Sequence, residues 1–193
     1  MFAYRERRRF TPEEYLAIEE HAPSRSEYLC GEIFSMTGGS VEHNQIVRNL
    51  ASTIDMALGE GGCQVFVADM RLHVARRSLF TYPDLMVVCG ELPRMEGRRD
   101  TLEDATLIVE VLSPSTQDYD RGEKFLLYQS LPSFSEYLTV SQNEVLVERY
   151  SRQNADQWLL TRHYRPGDEL LLDSLGITLE LGRIYRGVEG LAP

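Results

Sequence analysis

Apolar residues recur at three- and four-residue steps along the stretch from Val41 to Leu58. Ile46, Val47, Leu50, Ile54, Ala57 and Leu58 fall on one side, which predicts an amphipathic helix, and Gly59, Gly61 and Gly62 end it. Leu107, Ile108, Val109, Val111 and Leu112 form a continuous β-branched run and read as a strand buried on both faces. Residues 82–88 predict a second apolar strand, opened by Pro83-Asp84. Thr11 as cap, Pro12 at the first helical position and Glu14 closing a capping box start a short helix, which should end near Glu20 or His21. A hairpin follows, with strands at 26–29 and 32–36 and its turn at Cys30-Gly31. Residues 64–69 read as a strand that runs on through 71–74, and 91–104 as a polar surface loop. Asp120 with Glu123 three residues on reads as the capped start of another helix. Strands are expected at 136–141, at 144–150 with 157–164 as an antiparallel hairpin, and at 170–172 and 177–179. The pattern predicts an α+β fold: a mixed central sheet flanked by helices, with additional antiparallel hairpins. A chain of 193 residues is expected to form a single domain, 1–193.

One polar residue interrupts the most apolar strand. Glu110 shares a face with Ile108 and Leu112, and a carboxylate there is costly unless a cation, a metal or hydrogen-bond donors meet it. Asp84 shares a face with Met86 and Val88 in the neighbouring apolar run. Lys124 follows in the first turns of the helix after Glu110. If the two strands are neighbours, Asp84, Glu110 and Lys124 converge at one edge of a sheet. Two carboxylates beside an ammonium suit a hard divalent cation and an activated water. Asp69 is a further acid within reach of that edge. His43, at a helix start, reads as a capping or core histidine, and Tyr128 as core packing. Ser113 and Ser115 lack a Gly-x-Ser-x-Gly setting and read as turn formers.

The net charge of −10 opposes nucleic acid, since phosphate neutralisation supplies much of the affinity of a DNA binder. Two basic clusters, Arg5 with Arg7, Arg8 and Arg9, and Arg94 with Arg98 and Arg99, read as solvated surface. Cys30, Cys63 and Cys89 are odd in number and lack a CxxC pair, which argues for a reducing, cytoplasmic setting and against zinc. No apolar run is long enough to span a membrane, and the basic N-terminus lacks the apolar segment of a secretory signal.

Several blocks taken together resemble the Uma-type restriction-endonuclease family: Glu27 with Gly31-Glu32, Glu42-His43-Asn44, Tyr82-Pro83-Asp84, the run from Ile108 to Thr116, then Asp120, Lys124, Tyr128 and Glu136-Tyr137. That family is assigned to the restriction-endonuclease-like superfamily, whose pattern is Pro-Asp followed by an acid, one residue and a lysine. The resemblance implies a restriction-endonuclease-like core and a Mg²⁺- or Mn²⁺-dependent endonuclease that hydrolyses DNA. It makes Asp84 and Glu110 metal ligands, with the backbone carbonyl of Val111 completing the site. Leu112 stands where the superfamily has its lysine, so Lys124 would supply the ammonium from the following helix. Cys30 stands where the family usually has Asp. Glu32 is a candidate third acid that positions the metal or a water. A homodimer would set two such sites against the two strands of a duplex. Two rival expectations remain: a nuclease scaffold that binds without cleaving, which the acidic balance and the displaced lysine favour, and a hydrolase of a smaller phosphate ester.

Overall fold

In the computed structural model, which describes residues 8–36 and 38–191, the apolar run lies inside a six-stranded sheet. Arg5 and Arg7 of the first basic cluster lie outside the described residues. The chain opens with α1 (Pro12–Glu19), whose Thr11–Glu14 capping box forms as expected. β1 (Ser26–Leu29) and β2 (Glu32–Ser35) make the first hairpin. Its turn holds both Cys30 (φ 48°) and Gly31 (φ 97°) in left-handed backbone, which Gly adopts without a Cβ clash. The long helix α2 spans Val41–Leu58, and Ile46, Leu50 and Ile54 on its apolar side are fully buried. β3 (Cys63–Val67), β4 (Arg71–Val74), a 3₁₀ turn (Ala75–Arg77), β5 (Leu79–Thr81), β6 (Leu85–Cys89) and β7 (Thr101–Leu102) precede the apolar strand β8 (Leu107–Leu112). A helical segment follows in three pieces: α3 (Gln117–Tyr119), a π-helical stretch (Asp120–Lys124) and α4 (Phe125–Tyr128). β9 (Glu136–Ser141), β10 (Val147–Arg152), β11 (Trp158–His163), β12 (Glu169–Leu172), β13 (Ile177–Glu180) and α5 (Leu181–Ile184) complete the chain.

The six-stranded sheet has the order β11-β10-β9-β8-β6-β3. The β8–β9 pair is parallel and the other pairs antiparallel, so the sheet is mixed. Leu107, Val109 and Val111 of β8 face Ile46, Leu50 and Ile54 of α2, together with the β12–β13 hairpin and α5. Ile108 faces the opposite way, toward Phe125, Tyr128, Phe134 and Tyr137 and the inner residues of a second sheet, β2-β1-β5-β4-β7. A strand between two apolar layers carries apolar residues on both faces, which is why β8 reads as a run rather than an alternation.

Four features depart from the pattern. The expected continuous strand 64–74 is broken at Ala68, whose left-handed backbone (φ 42°) ends β3 and sends β4 into the other sheet. The polar stretch 91–104 contains buried β7, paired in parallel with β4. Asp120 does not cap a helix: helical backbone begins at Gln117, and the Asp120 amide already donates to the Thr116 carbonyl. Cys63 and Cys89 are register partners across β3 and β6 and form a disulfide with a Cα separation of 3.9 Å. Cys30 is the free cysteine, and the cysteine argument for a reducing setting lapses.

Candidate active site

The β6–β8 ladder runs antiparallel, with Leu85 opposite Val109. One step further along that register sets Asp84 opposite Glu110. Pro83 has no amide to donate and so ends the ladder there. The Asp84 side chain takes over: its Oδ2 accepts the Val111 amide at 2.7 Å. The Tyr82 hydroxyl behind it accepts from Arg71 and donates to Glu19, all buried, which fixes the approach to Pro83. The structure thus brings the Val111 amide to Asp84, on the residue whose carbonyl the resemblance nominated.

Glu110 is 4% exposed. Its Oε1 accepts from the Tyr128 hydroxyl at 2.7 Å and meets Lys124 Nζ at 3.0 Å. Its Oε2 faces the Asp84 amide at 3.5 Å. Lys124 and Tyr128 lie four residues apart on the helical segment, so one side of it delivers both groups to the same oxygen. Tyr128 is fully buried among aromatic rings; it is core, as read from the sequence, and also a donor to the candidate acid.

Lys124 is buried and surrounded by acids. Its Nζ lies 3.0 Å from Glu27, 3.0 Å from Glu110 and 3.7 Å from Asp120. Burial favours the neutral amine, but Glu110, Tyr128, Glu27 and Asp120 outweigh it and hold the ammonium well above the usual lysine range. One ammonium cannot neutralise three carboxylates. The surplus falls on Glu110, whose carboxyl is raised by burial and by the Asp120 and Asp84 charges, against the pull of Lys124. Asp120 is raised for the same leading reason.

Two partners escaped the sequence reading. His43, in the first turn of α2, sets Nε2 3.1 Å from Asp84 Oδ2. Burial lowers its pKa, but the Asp84 hydrogen bond and charge, with Asp120, leave it raised overall. Glu27 on β1 is the hairpin acid at Lys124, and it also accepts the Thr81 hydroxyl. Both contacts join elements remote in sequence, and periodicity carries no such signal. Glu32 lines a separate surface cleft of about 550 Å³ with Arg9, Cys30, Arg77, Ser78 and Glu123. Asp69 is exposed and lies 3.6 Å from Arg25. The Ser113 hydroxyl bonds those of Ser115 and Thr116, which is turn chemistry as expected.

The donor set fits a divalent cation on two grounds. Asp84, Glu110, Glu27 and Asp120 face one buried ammonium and His43, so the cluster is short of positive charge. Among the described residues Oδ1 of Asp84 accepts no hydrogen bond, and Oε2 of Glu110 accepts only the long one from the Asp84 amide. Among the same residues no three His, Cys, Asp or Glu side chains form a metal cage. Two carboxylates completed by backbone oxygen, water or phosphate match the habit of Mg²⁺ rather than that of zinc.

Comparison with known proteins bears on the family and the fold. The chain is 36% identical over 180 residues to the uncharacterized protein slr1290 of Synechocystis, covering 93% of each. It is 37% identical over 151 residues to the uncharacterized protein sll1609 of the same organism, covering 78% of this chain and 85% of that one. A crystal structure from Anabaena variabilis, described as a "putative nuclease belonging to DUF820", superposes with a TM-score of 0.73 at 18% identity, covering 91% of this chain and 97% of that one. The α+β, restriction-endonuclease-like fold expected from the sequence is therefore borne out. No helix among the described residues is long and apolar enough to cross a membrane. Residues 12–182 match the family model Uma2, "Putative restriction endonuclease", and the chain belongs to that nuclease-like family.

Proposed function

We propose that the chain is a Mg²⁺- or Mn²⁺-dependent endonuclease that hydrolyses phosphodiester bonds in DNA. The observation that supports this reading most is the pairing of Asp84 with Glu110 at the end of the β6–β8 ladder, with Lys124 on the second acid. Asp84 and Glu110 would hold the cation, with the Val111 carbonyl as a further oxygen. The chemistry such an ion would supply there is a lowered pKa for water and an offset to the charge on the phosphate. Tyr128 and Lys124 fix the Glu110 carboxylate, and the Val111 amide fixes that of Asp84. The Lys124 ammonium, kept charged by its acidic neighbours, stabilises the negative charge that builds on the phosphorus-bound oxygens. Glu27, rather than Glu32, takes the part of the third acid in this reading. Cytoplasmic residence, one folding unit over 1–193 and a homodimer that offers one site to each strand belong to the same proposal.

A second reading has its own support. The Lys124 ammonium is engaged by three carboxylates and the net charge is −10, as a scaffold that binds without cleaving would tolerate. Calorimetric titration of Mn²⁺ into the parent and into Glu110→Ala separates the two. Parent binding that disappears in the variant, with nicking of supercoiled plasmid lost in step, is the expected result. A protein that binds no Mn²⁺ and nicks nothing even with plasmid and Mn²⁺ together belongs to the second reading.

A further inference from the structure

His43 is seated by construction rather than by chance. The N-terminus of α2 is fixed by Ser40, whose hydroxyl accepts the His43 amide at 3.1 Å and donates to Gln142 at 2.6 Å, just past the end of β9. The imidazole then lies against Gly39. A Cβ built at Gly39 would stand 2.7 Å from Nδ1, closer than real Cβ contacts come, and 3.1 Å from Cγ of that ring, tighter than most. Gly39 is not among the glycines with positive φ, so its backbone does not demand glycine. The histidine ring in its present position leaves no room for a Cβ there, so a larger residue would shift the ring.

The other side of the ring meets Asp84, and both side chains are about one-fifth exposed. Oδ2 of Asp84 receives the Val111 amide at 2.7 Å and His43 Nε2 at 3.1 Å. A carboxylate oxygen is an acceptor, so in this contact Nε2 is the donor. Two donors from different elements, one on β8 and one on α2, converge on a single oxygen. They fix the rotation of the carboxylate and leave Oδ1 without a hydrogen bond among the described residues.

We infer that His43, held in place by the missing side chain of Gly39, is a positioning residue that turns Oδ1 of Asp84 toward a bound cation. The inference rests on the reading of Asp84 as a metal ligand. His43 touches neither cation nor phosphate in this role. It acts through Asp84, as outer partners of ligating carboxylates do, and removal of such a partner weakens metal binding by about 10–100-fold.

The test is Mn²⁺ titration calorimetry on the full chain, with ¹⁵N correlation spectroscopy of the metal-free protein to read the His43 tautomer. The spectra should show hydrogen on Nε2 in the parent. His43→Ala should weaken Mn²⁺ binding by about 10–100-fold. His43→Gln, which keeps a donor, should lie nearer the parent. Gly39→Ala should weaken binding in the parent yet add almost nothing in the His43→Ala background, because both changes break one contact. Parental affinity in both His43→Ala and Gly39→Ala, while Asp84→Ala abolishes binding, overturns the inference and leaves the metal site standing. Parental affinity in Asp84→Ala removes the metal reading and this role together. Equal losses from Gly39→Ala with and without His43 also overturn it.

Discussion

The Lys124 ammonium and the Glu110 carboxylate lie 3.0 Å apart, and both are buried. Glu27 and Asp120 compete for the same ammonium. The pair is therefore a fragment of an acidic cluster that is short of cations, and its two members respond differently to substitution.

Glu110→Gln removes one surplus buried acid and keeps an oxygen for the Tyr128 hydroxyl. Thermal unfolding at neutral pH should show a gain of about 0.5–2 kcal/mol, the size typical of a single stabilising substitution. Mn²⁺ binding should vanish in the same variant. A lower melting temperature would mark Glu110 as a structural partner of Lys124.

Lys124→Met has the opposite sign. It leaves Glu27, Glu110 and Asp120 without their shared cation. Breaking a buried pair from one side costs about 3–5 kcal/mol, and urea unfolding at pH 7 should show a loss of that order. The loss should shrink as the pH is lowered and the stranded carboxyls take up protons.

Glu148 carries a pH dependence that owes nothing to the candidate site. Burial raises its carboxyl, but hydrogen bonds from Arg121 and Arg162 and their charges outweigh this and hold it below the ordinary glutamate value of 4.5. A depressed acid stabilises the fold above its unfolded pKa, and that contribution is lost as pH falls through the folded one. Glu148→Gln should therefore be less stable than the parent at pH 7, and the gap should close below about pH 4.5. A gap that stays constant through acid would refute the linkage.

Leu50→Ala tests the layer behind the site. Leu50 is fully buried between α2 and the sheet. Truncation should cost about 2–5 kcal/mol in denaturant unfolding. Mn²⁺ affinity of the folded fraction should stay at the parental value, since the change lies on the face of the sheet opposite Glu110.

Long periodic elements were legible in the sequence. The range of α2, the α1 capping box and the apolar strand β8 all follow from local pattern, and the two carboxylates stood out because apolar neighbours surround them. What stayed hidden lacks a local signature. Ala68 turns the chain in a left-handed conformation without glycine to announce it. β7 is two residues long, too short for any period to show. Asp120 has the composition of a cap yet sits inside a π-helical stretch. The contacts of His43 with Asp84, and of Glu27 with Lys124, depend on how two sheets and α2 are set against one another. The Cys63–Cys89 bond depends on β3–β6 register across a separation of 26 residues.

The two-faced character of β8 also acts on folding. A slip of β8 by one residue would carry Glu110 from the Tyr128 and Lys124 side into the apolar layer of Ile46, Leu50 and Ile54, away from both partners, and would exchange every other side chain between layers. An all-apolar strand would forgive that slip, since either face could meet oil. The acid therefore screens out near-miss assemblies before any substrate arrives, and a gain in stability from removing it would come with a less singular route to the native state.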